Sequence, residues 1–197
     1  MEQTIAAAAL AVFISFFTNA IYIRDTLRGK TKPHLFSWLV WALVMGIGAA
    51  IAFSEGAYMG ALAIGNGSLW CFVISLLALR HGEKRITLSD WVMFLSALSI
   101  IPFWFFTKEP LLAAFLAASI DFFGFMPTFR KAWHKPLEEN LKAFSLYVSI
   151  SIFRVLSIDP YSWTTGLYPT AVLVMETSMV IMLFFRRRAL SPARAIG

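Results

Sequence analysis

The chain is poor in the residues that build disulfide scaffolds, metal centres and soluble surfaces. Its single cysteine, Cys71, excludes an intrachain disulfide and belongs to no metal-binding motif. The three histidines, His34, His81 and His134, stand at no metal-ligand spacing. The lysines fall in loops or at helix ends, which excludes a retinal Schiff base inside a helix bundle. We therefore expect neither a metal nor a cofactor.

Charge is scarce and apolar residues are abundant. Only 14% of the 197 residues are charged, whereas a soluble domain has about a quarter. Hydrophobic residues make up 59%, and the mean hydropathy is +0.71. The net charge of +6 comes from short loops between apolar runs, a pattern typical of membrane sidedness. The expected partner is therefore a lipid bilayer, and no nucleic acid is expected.

Seven apolar stretches approach the roughly 20 residues that a membrane-spanning helix needs. They cover residues 4–23, 34–54, 57–79, 91–107, 110–129, 141–158 and 163–185. The first is predicted to be a retained helix, because Glu2 precedes it and its positive charges come afterwards, unlike a signal peptide. The sequence predicts an all-α integral membrane protein with seven transmembrane helices.

The loop charges predict the orientation. Basic residues follow helices one, three, five and seven: Arg24, Arg28, Lys30 and Lys32; Arg80, Lys84 and Arg85; Arg130, Lys131, Lys135 and Lys142; Arg186, Arg187, Arg188 and Arg194. The alternate loops hold only Lys108. Cytoplasmic loops collect Lys and Arg, so we expect the N-terminus outside and the C-terminus inside.

The chain also contains an internal repeat. ISFFTNAIYIR at 14–24 aligns without a gap with IDFFGFMPTFR at 120–130, and Phe36–Ser37 then answers Phe144–Ser145. A repeat of this length indicates duplication of a structural unit. We predict a first three-helix repeat at 1–79, a linker helix at 80–109, and a second repeat with its basic tail at 110–197. The spare fourth helix keeps the two repeats parallel.

Three ionisable residues fall inside predicted spans, where a charge costs about 2.5–3.5 kcal/mol. Asp121 and Glu176 lie near mid-depth, and their short side chains cannot reach the surface. They should face a wet cavity, pair, or bind a proton. Arg154 lies close enough to the outer surface to snorkel there or to form an ion pair with a carboxylate.

Asn66 is the neutral member of this group. It lies in Gly65-Asn66-Gly67, where the glycines permit close approach of a ligand or hinge motion. Its counterpart in the second repeat is Glu176, on a helix that Pro169 can kink. Interrupted helices at matching positions point to a midplane transport site. Trp70 is placed to stack on a ligand and Asn19 to line the inner mouth.

A family resemblance follows from these features. Pro127-Thr128 and the basic loop after it resemble the PQ-loop motif, and the three-plus-one-plus-three topology resembles the SWEET sugar transporters. The resemblance implies a parallel-repeat transporter with Pro127 as a hinge and Asn66 as a solute-binding residue. Glu176 replaces the second asparagine of that family, which favours a cationic or hydroxyl-rich solute over a plain hexose. The basic loops resemble those of bacterial inner-membrane proteins.

The expected function is transport of a small polar solute by alternating access, and a carboxylate at mid-depth also allows coupling to protons. Two alternatives stay open. One is an intramembrane enzyme that uses Asp121 and Glu176 as acid and base. The other is a structural or signalling protein that forms a homo-oligomer through helix four.

Overall fold

The computed structural model describes residues 2–83, 85–107 and 109–194, and within these ranges the chain is helical and has no strand. Seven α-helices occur, one for each predicted span. They are α1 Glu2–Leu27, α2 Leu35–Ser54, α3 Tyr58–His81, α4 Leu88–Thr107, α5 Pro110–His134, α6 Leu141–Leu156 and α7 Trp163–Arg194, with a 3-10 turn at Pro136–Glu138 before α6. Lys84, Lys108 and residues 195–197 of the predicted tail lie outside the described residues.

One boundary differs clearly from the prediction. The seventh span was expected to end at residue 185 and to give way to a basic tail, but α7 continues through Arg186–Arg188 to Arg194. Arginine, alanine and leucine are all good helix formers, so the end of the apolar run does not end the helix.

Five of the described helices are long and apolar enough to cross a membrane: α1, α2, α3, α5 and α7. Their surfaces support that role. Large apolar side chains such as Phe13, Leu62 and Leu69 face outward, and each is more than half exposed. The chain is therefore a multi-pass membrane protein. The 16 residues of α6 extend only about 24 Å, less than a hydrocarbon core of ~30 Å.

The helices pack in matched pairs. α1 packs on α3 as α5 packs on α7, and α2 packs on α3 as α6 packs on α7. Between the two halves of the chain, α1 packs on α6 as α5 packs on α2. In the same way, α3 packs on α6 as α7 packs on α2. α4 packs against α5 and α2. Exchanging α1–α3 for α5–α7 therefore reproduces the contacts among these six helices, whereas those of α4 have no counterpart.

Glycines let two of these helix pairs come close. A Cβ at Gly124 of α5 would lie 2.8 Å from Val40 of α2, and one at Gly48 of α2 would lie 2.6 Å from the ring of Tyr168 on α7. Small residues at such positions let membrane helices gain van der Waals contact that lipid cannot supply.

The loops α1–α2, α3–α4 and α5–α6 meet at one end of the bundle, which we call the charged end. A buried ion pair lies there: Nζ of Lys131 is 2.6 Å from Oε1 of Glu139, and both side chains are at most 5% exposed. Lys131 also donates to the carbonyl of Lys32. Arg187 of α7 donates to the carbonyls of Pro136 and Glu139. We call these contacts the clamp, because they tie α5, α7 and two loops together.

Breaking the clamp at one partner should be costly. Lys131→Met leaves a buried carboxylate without its cation, which lowers the free energy of unfolding by about 3–5 kcal/mol. Lys131→Met with Glu139→Gln removes both charges and should cost much less. Thermal unfolding in detergent measures the stability of Lys131→Met, Glu139→Gln and the double variant. A double variant whose loss of stability equals the sum of the two single losses would contradict this account.

The same variants have a defined pH dependence. Burial raises the pKa of the Glu139 carboxyl above its ordinary value, and the ammonium of Lys131 opposes the shift. A carboxyl whose pKa is higher in the folded than in the unfolded state stabilises the fold at pH values below its ordinary pKa of about 4.3. That stabilisation is lost as pH rises through the folded-state pKa. The loss of stability of Lys131→Met relative to the native chain should therefore become smaller as pH falls from 8 to 5, because Glu139 then accepts a proton. A deficit that grows on acidification would refute the assignment.

Candidate functional site

A buried cavity lies in the middle of the bundle, between both halves of the chain. Its wall is formed by α1, α2, α3, α5, α6 and α7 through Asn19, Trp38, Trp41, Met45, Gly67, Trp70, Cys71, Asp121, Phe125, Phe144, Tyr147, Arg154, Tyr168, Val172 and Glu176. The cavity volume that the centres of water molecules can occupy is about 40 Å³. One water needs roughly 10–15 Å³ by that measure, so the closed cavity has room for a few waters.

Three charged side chains point into this central cavity. Asp121 of α5 is 1% exposed, Arg154 of α6 is 6% exposed and Glu176 of α7 is 8% exposed. Oε2 of Glu176 accepts a hydrogen bond of 2.6 Å from Oγ of Ser151, one turn before Arg154 on α6. Among the described residues, no ion pair within 4.0 Å links Arg154 to either carboxylate. The charges of the cavity are thus gathered but not paired directly.

The same wall carries unused hydrogen-bonding capacity. Four buried atoms have no hydrogen-bond partner among the described protein groups: Oδ2 of Asp121, Nε of Arg154, Nε1 of Trp41 and the hydroxyl of Tyr168. Buried polar atoms without a protein partner are uncommon, and each requires an explanation such as ordered water or a ligand. Four of them around one small cavity indicate a binding site.

Gly67 of α3 makes room for the charge of Arg154. A Cβ at this position would overlap the Arg154 guanidinium, and it would also lie 2.5 Å from Cε of Met45. The guanidinium therefore lies directly against the backbone of α3. This contact holds Arg154 inside the bundle, where it does not snorkel to the outer surface as one of the sequence interpretations had it.

Aromatic rings form much of the remaining wall. Trp41 lies 4.7 Å from Phe125 and 5.0 Å from Trp38, measured between ring centroids. Tyr147 lies 6.2 Å from Trp38 by the same measure, and its hydroxyl donates to Oδ1 of Asn19 at 2.7 Å. Nδ2 of Asn19 donates in turn to the carbonyl of Ser15 at 2.7 Å, so both polar atoms of the amide are engaged.

The residues singled out from the sequence separate into two groups. The cavity wall includes Asn19, Gly67, Trp70, Asp121, Arg154 and Glu176. The others lie elsewhere. Asn66 faces α1, where its Oδ1 accepts a hydrogen bond of 2.6 Å from Ser15. Gly65 faces Ala49 of α2. Pro127 lies within α5 near the charged end, and Pro169 is buried within α7 but is not on the wall.

Several wall residues were not singled out from the sequence. Trp38, Trp41, Tyr147 and Tyr168 are aromatic residues in a chain with 31 of them, 19 Phe, 7 Trp and 5 Tyr, so residue type alone carries little signal. One pattern could have found Tyr147: it lies one turn before Ser151, and the two share a helical face with Arg154.

The comparisons with known proteins leave the family open. No protein-family model matches the chain. No curated protein and no solved structure matches it either. The resemblance to PQ-loop and SWEET transporters therefore stays a prediction.

The wall combines charged side chains with aromatic rings. No cluster of three or more His, Cys, Asp or Glu side chains that could hold a metal ion occurs in the described part of the chain. Cys71 is buried with its Sγ 3.8 Å from Sδ of Met45. The wall instead offers one cation, two carboxylates and several π faces, which suit a solute with an ammonium group.

Gly65 and Gly67 of α3 should respond in opposite ways to alanine. Gly65→Ala adds a Cβ 3.6 Å from Cβ of Ala49, an ordinary contact, and alanine favours a helix by about 0.5–1 kcal/mol over glycine. Gly67→Ala instead displaces the Arg154 guanidinium, and such overpacking costs about 1–3 kcal/mol. The melting temperature in detergent should stay level or rise for the first variant and fall for the second.

A second substitution separates the role of Arg154 from general crowding at position 67. In an Arg154→Met background the overlapping guanidinium is gone, so the cost of Gly67→Ala should drop to that of its remaining contact with Met45. An equal cost in both backgrounds would show that the arginine does not lie against Gly67.

Proposed function

We propose that the chain transports a small polar solute across the membrane and that the central cavity is its binding site in a closed conformation. One observation carries the proposal: three charged side chains and four unpartnered polar atoms converge on a single buried cavity. Charged residues inside a membrane bundle are costly, and they typically mark substrate or ion pathways. A merely structural cluster would pair its charges with one another.

The helix arrangement supports alternating access. The matched contacts fit two three-helix repeats, at 1–79 and 110–197, joined by the linker at 80–109. The cavity lies between these units, since its wall takes residues from both. In parallel-repeat transporters the solute site lies at the repeat interface near the bilayer midplane, and the repeats rock around it.

The orientation completes the proposal. We assign seven spans, an outside N-terminus and an inside C-terminus, with the charged end facing the cytoplasm of a bacterial inner membrane. The support is the accumulation of basic residues at the charged end, which agrees with the distribution of Lys and Arg in cytoplasmic loops.

The cavity also defines the chemistry of the solute. Arg154 suits a carboxylate or another acceptor, whereas Asp121 and Glu176 suit an ammonium group or hydroxyls. Trp41 and Phe125 add π faces that attract a cation. The volume of about 40 Å³ favours a compact solute. We infer a small molecule with an amino group, either a zwitterion or an amine, over a neutral hexose.

The first test is uptake into proteoliposomes, preceded by a thermal-shift screen that includes amino acids, amines and sugars. A bound solute raises the melting temperature by mass action. Asp121→Asn removes the charge that would hold an ammonium group, so it should abolish both the thermal shift and at least about nine-tenths of uptake. Glu55→Gln, an exposed carboxylate at the opposite end, is the matched control and should behave like the native chain.

Proton coupling through Glu176 is tested separately. Glu176→Gln keeps the shape of the side chain and leaves Ser151 with an acceptor, so the fold should persist. Uptake by this variant should lose its dependence on pH, whereas uptake by the native chain should vary with it. Uptake that follows pH equally in both would end the coupling hypothesis without affecting the assignment of the cavity.

A further inference from the structure

A second recess opens at the charged end, away from the central cavity. It has a volume of about 290 Å³ and lies where α2 begins, α3 ends, α4 begins and α5 ends. We call it the basic recess. Its wall includes His34, Arg85, Thr87, Arg130, His134 and Lys135.

The basic groups of this recess differ in how far they are already neutralised. Lys135 lies 3.2 Å from Glu83, and Lys131 is held by Glu139 in the clamp. Arg130 reaches the fully buried Asp90 only at 3.7 Å and keeps 48% of its side chain exposed. Arg85 is exposed and forms no ion pair with any described residue. Among the described residues of the recess, Arg130 and Arg85 are thus the cations with most charge left for an external anion.

A buried polar group faces the same space. His34 is 2% exposed and lines the basic recess, and its Nδ1 has no hydrogen-bond partner among the described groups. This makes the recess more than a cluster of surface charges, because its wall includes a nearly buried side chain with unused hydrogen-bonding capacity.

An apolar groove continues from the basic recess along the outside of the bundle. Its volume is about 370 Å³, and its wall is formed by Ser89, Met126, Phe129, Trp133 and Met182 together with Pro127 and Arg130. Pro127 and Arg130 belong to both walls, so the recess and the groove lie next to each other. Arg186 lies over the ring of Trp133 at 4.6 Å and adds a further cation at the junction.

This arrangement matches an amphiphile with one anionic group. The recess lies at the ends of membrane-crossing helices, at the level of a lipid headgroup, and the groove beside it runs along the lipid-facing surface. Basic pockets between helices at the cytoplasmic side of a membrane bind anionic headgroups. Guanidinium groups suit phosphate because they donate two parallel hydrogen bonds.

We propose that the basic recess and the apolar groove form a binding site for an anionic phospholipid. Its phosphate lies on Arg130 and Arg85, and an acyl chain follows Met126, Phe129, Trp133 and Met182. The site is independent of the solute assigned to the central cavity. It would make the packing of α4 against α5 depend on the lipid, since Arg130 of α5 and Arg85, just before α4, contact the same headgroup.

The experiment uses the full chain in neutral detergent, titrated with phosphatidylglycerol, phosphatidylcholine or glycerol 1-phosphate, with the melting temperature as the readout. Phosphatidylglycerol should raise it at lower concentration than phosphatidylcholine does, and glycerol 1-phosphate should not raise it at equal concentration. Arg130→Gln should raise the half-saturating concentration of phosphatidylglycerol about fivefold, and Arg130→Gln together with Arg85→Gln should raise it about thirtyfold.

Arg28→Gln is the matched control, because Arg28 is an exposed arginine at the same end that lines neither the recess nor the groove. It should leave the titration unchanged. If Arg130→Gln does not fold, Arg85→Gln alone tests the same site. Equal response to both lipids, an equal effect of Arg28→Gln, or full replacement of the lipid by glycerol 1-phosphate would each overturn the proposal.

Discussion

The cost of placing a charge in hydrocarbon is the constraint on which this structure depends. A helix that carries Asp121, Arg154 or Glu176 cannot expose that residue to lipid, because each would cost several kcal/mol there. The helices must therefore turn these positions towards one another, and their lipid-facing sides are left to large apolar residues. The charged positions thus fix the rotation of α5, α6 and α7 about their own axes, and the cavity is the space where those rotations meet.

Close packing around the charges determines how small that space is. Gly67 brings the backbone of α3 against Arg154, while Gly48 and Gly124 bring α2 against α7 and α5. Lipid tails are as apolar as the side chains, so contact between helices has to come from such tight packing. The result is a cavity large enough for a few waters, with its charges close but not neutralised. In the proposed function, the polar atoms left unpartnered there bind the solute.

Much of the helix pattern could be predicted, because apolar runs bounded by basic loops follow directly from the thickness of a membrane. Asp121 and Glu176 could be found for the same reason, since their depth in the spans can be counted. The rotation of α3 about its own axis could not be predicted from the sequence. Its apolar residues surround the helix, so nothing in the sequence distinguishes the face of Gly67 and Trp70 from that of Asn66, which contacts Ser15. The clamp was also missed, because Lys131 and Glu139 read as ordinary loop charges until the fold buries them.

The two ends of the bundle are closed by different kinds of contact, and this difference bears on how the cavity would open. At the charged end, Lys32 lies 3.1 Å from Glu138, and Nδ2 of Asn140 donates to Asp25 at 2.7 Å. Polar contacts therefore join the end of α1 and the loop α1–α2 to the loop α5–α6. At the other end, Gly60 of α3 packs so closely on Ile158 that a Cβ would lie 2.9 Å from its side chain. Separating polar partners at a membrane surface exchanges them for water at small net cost. Separating the apolar contact exposes packed surface without such compensation. In the proposed transport cycle, the exposed loop contacts of the charged end are therefore easier to separate than the apolar contact at the other end. The clamp opposes that separation, because its ion pair is buried.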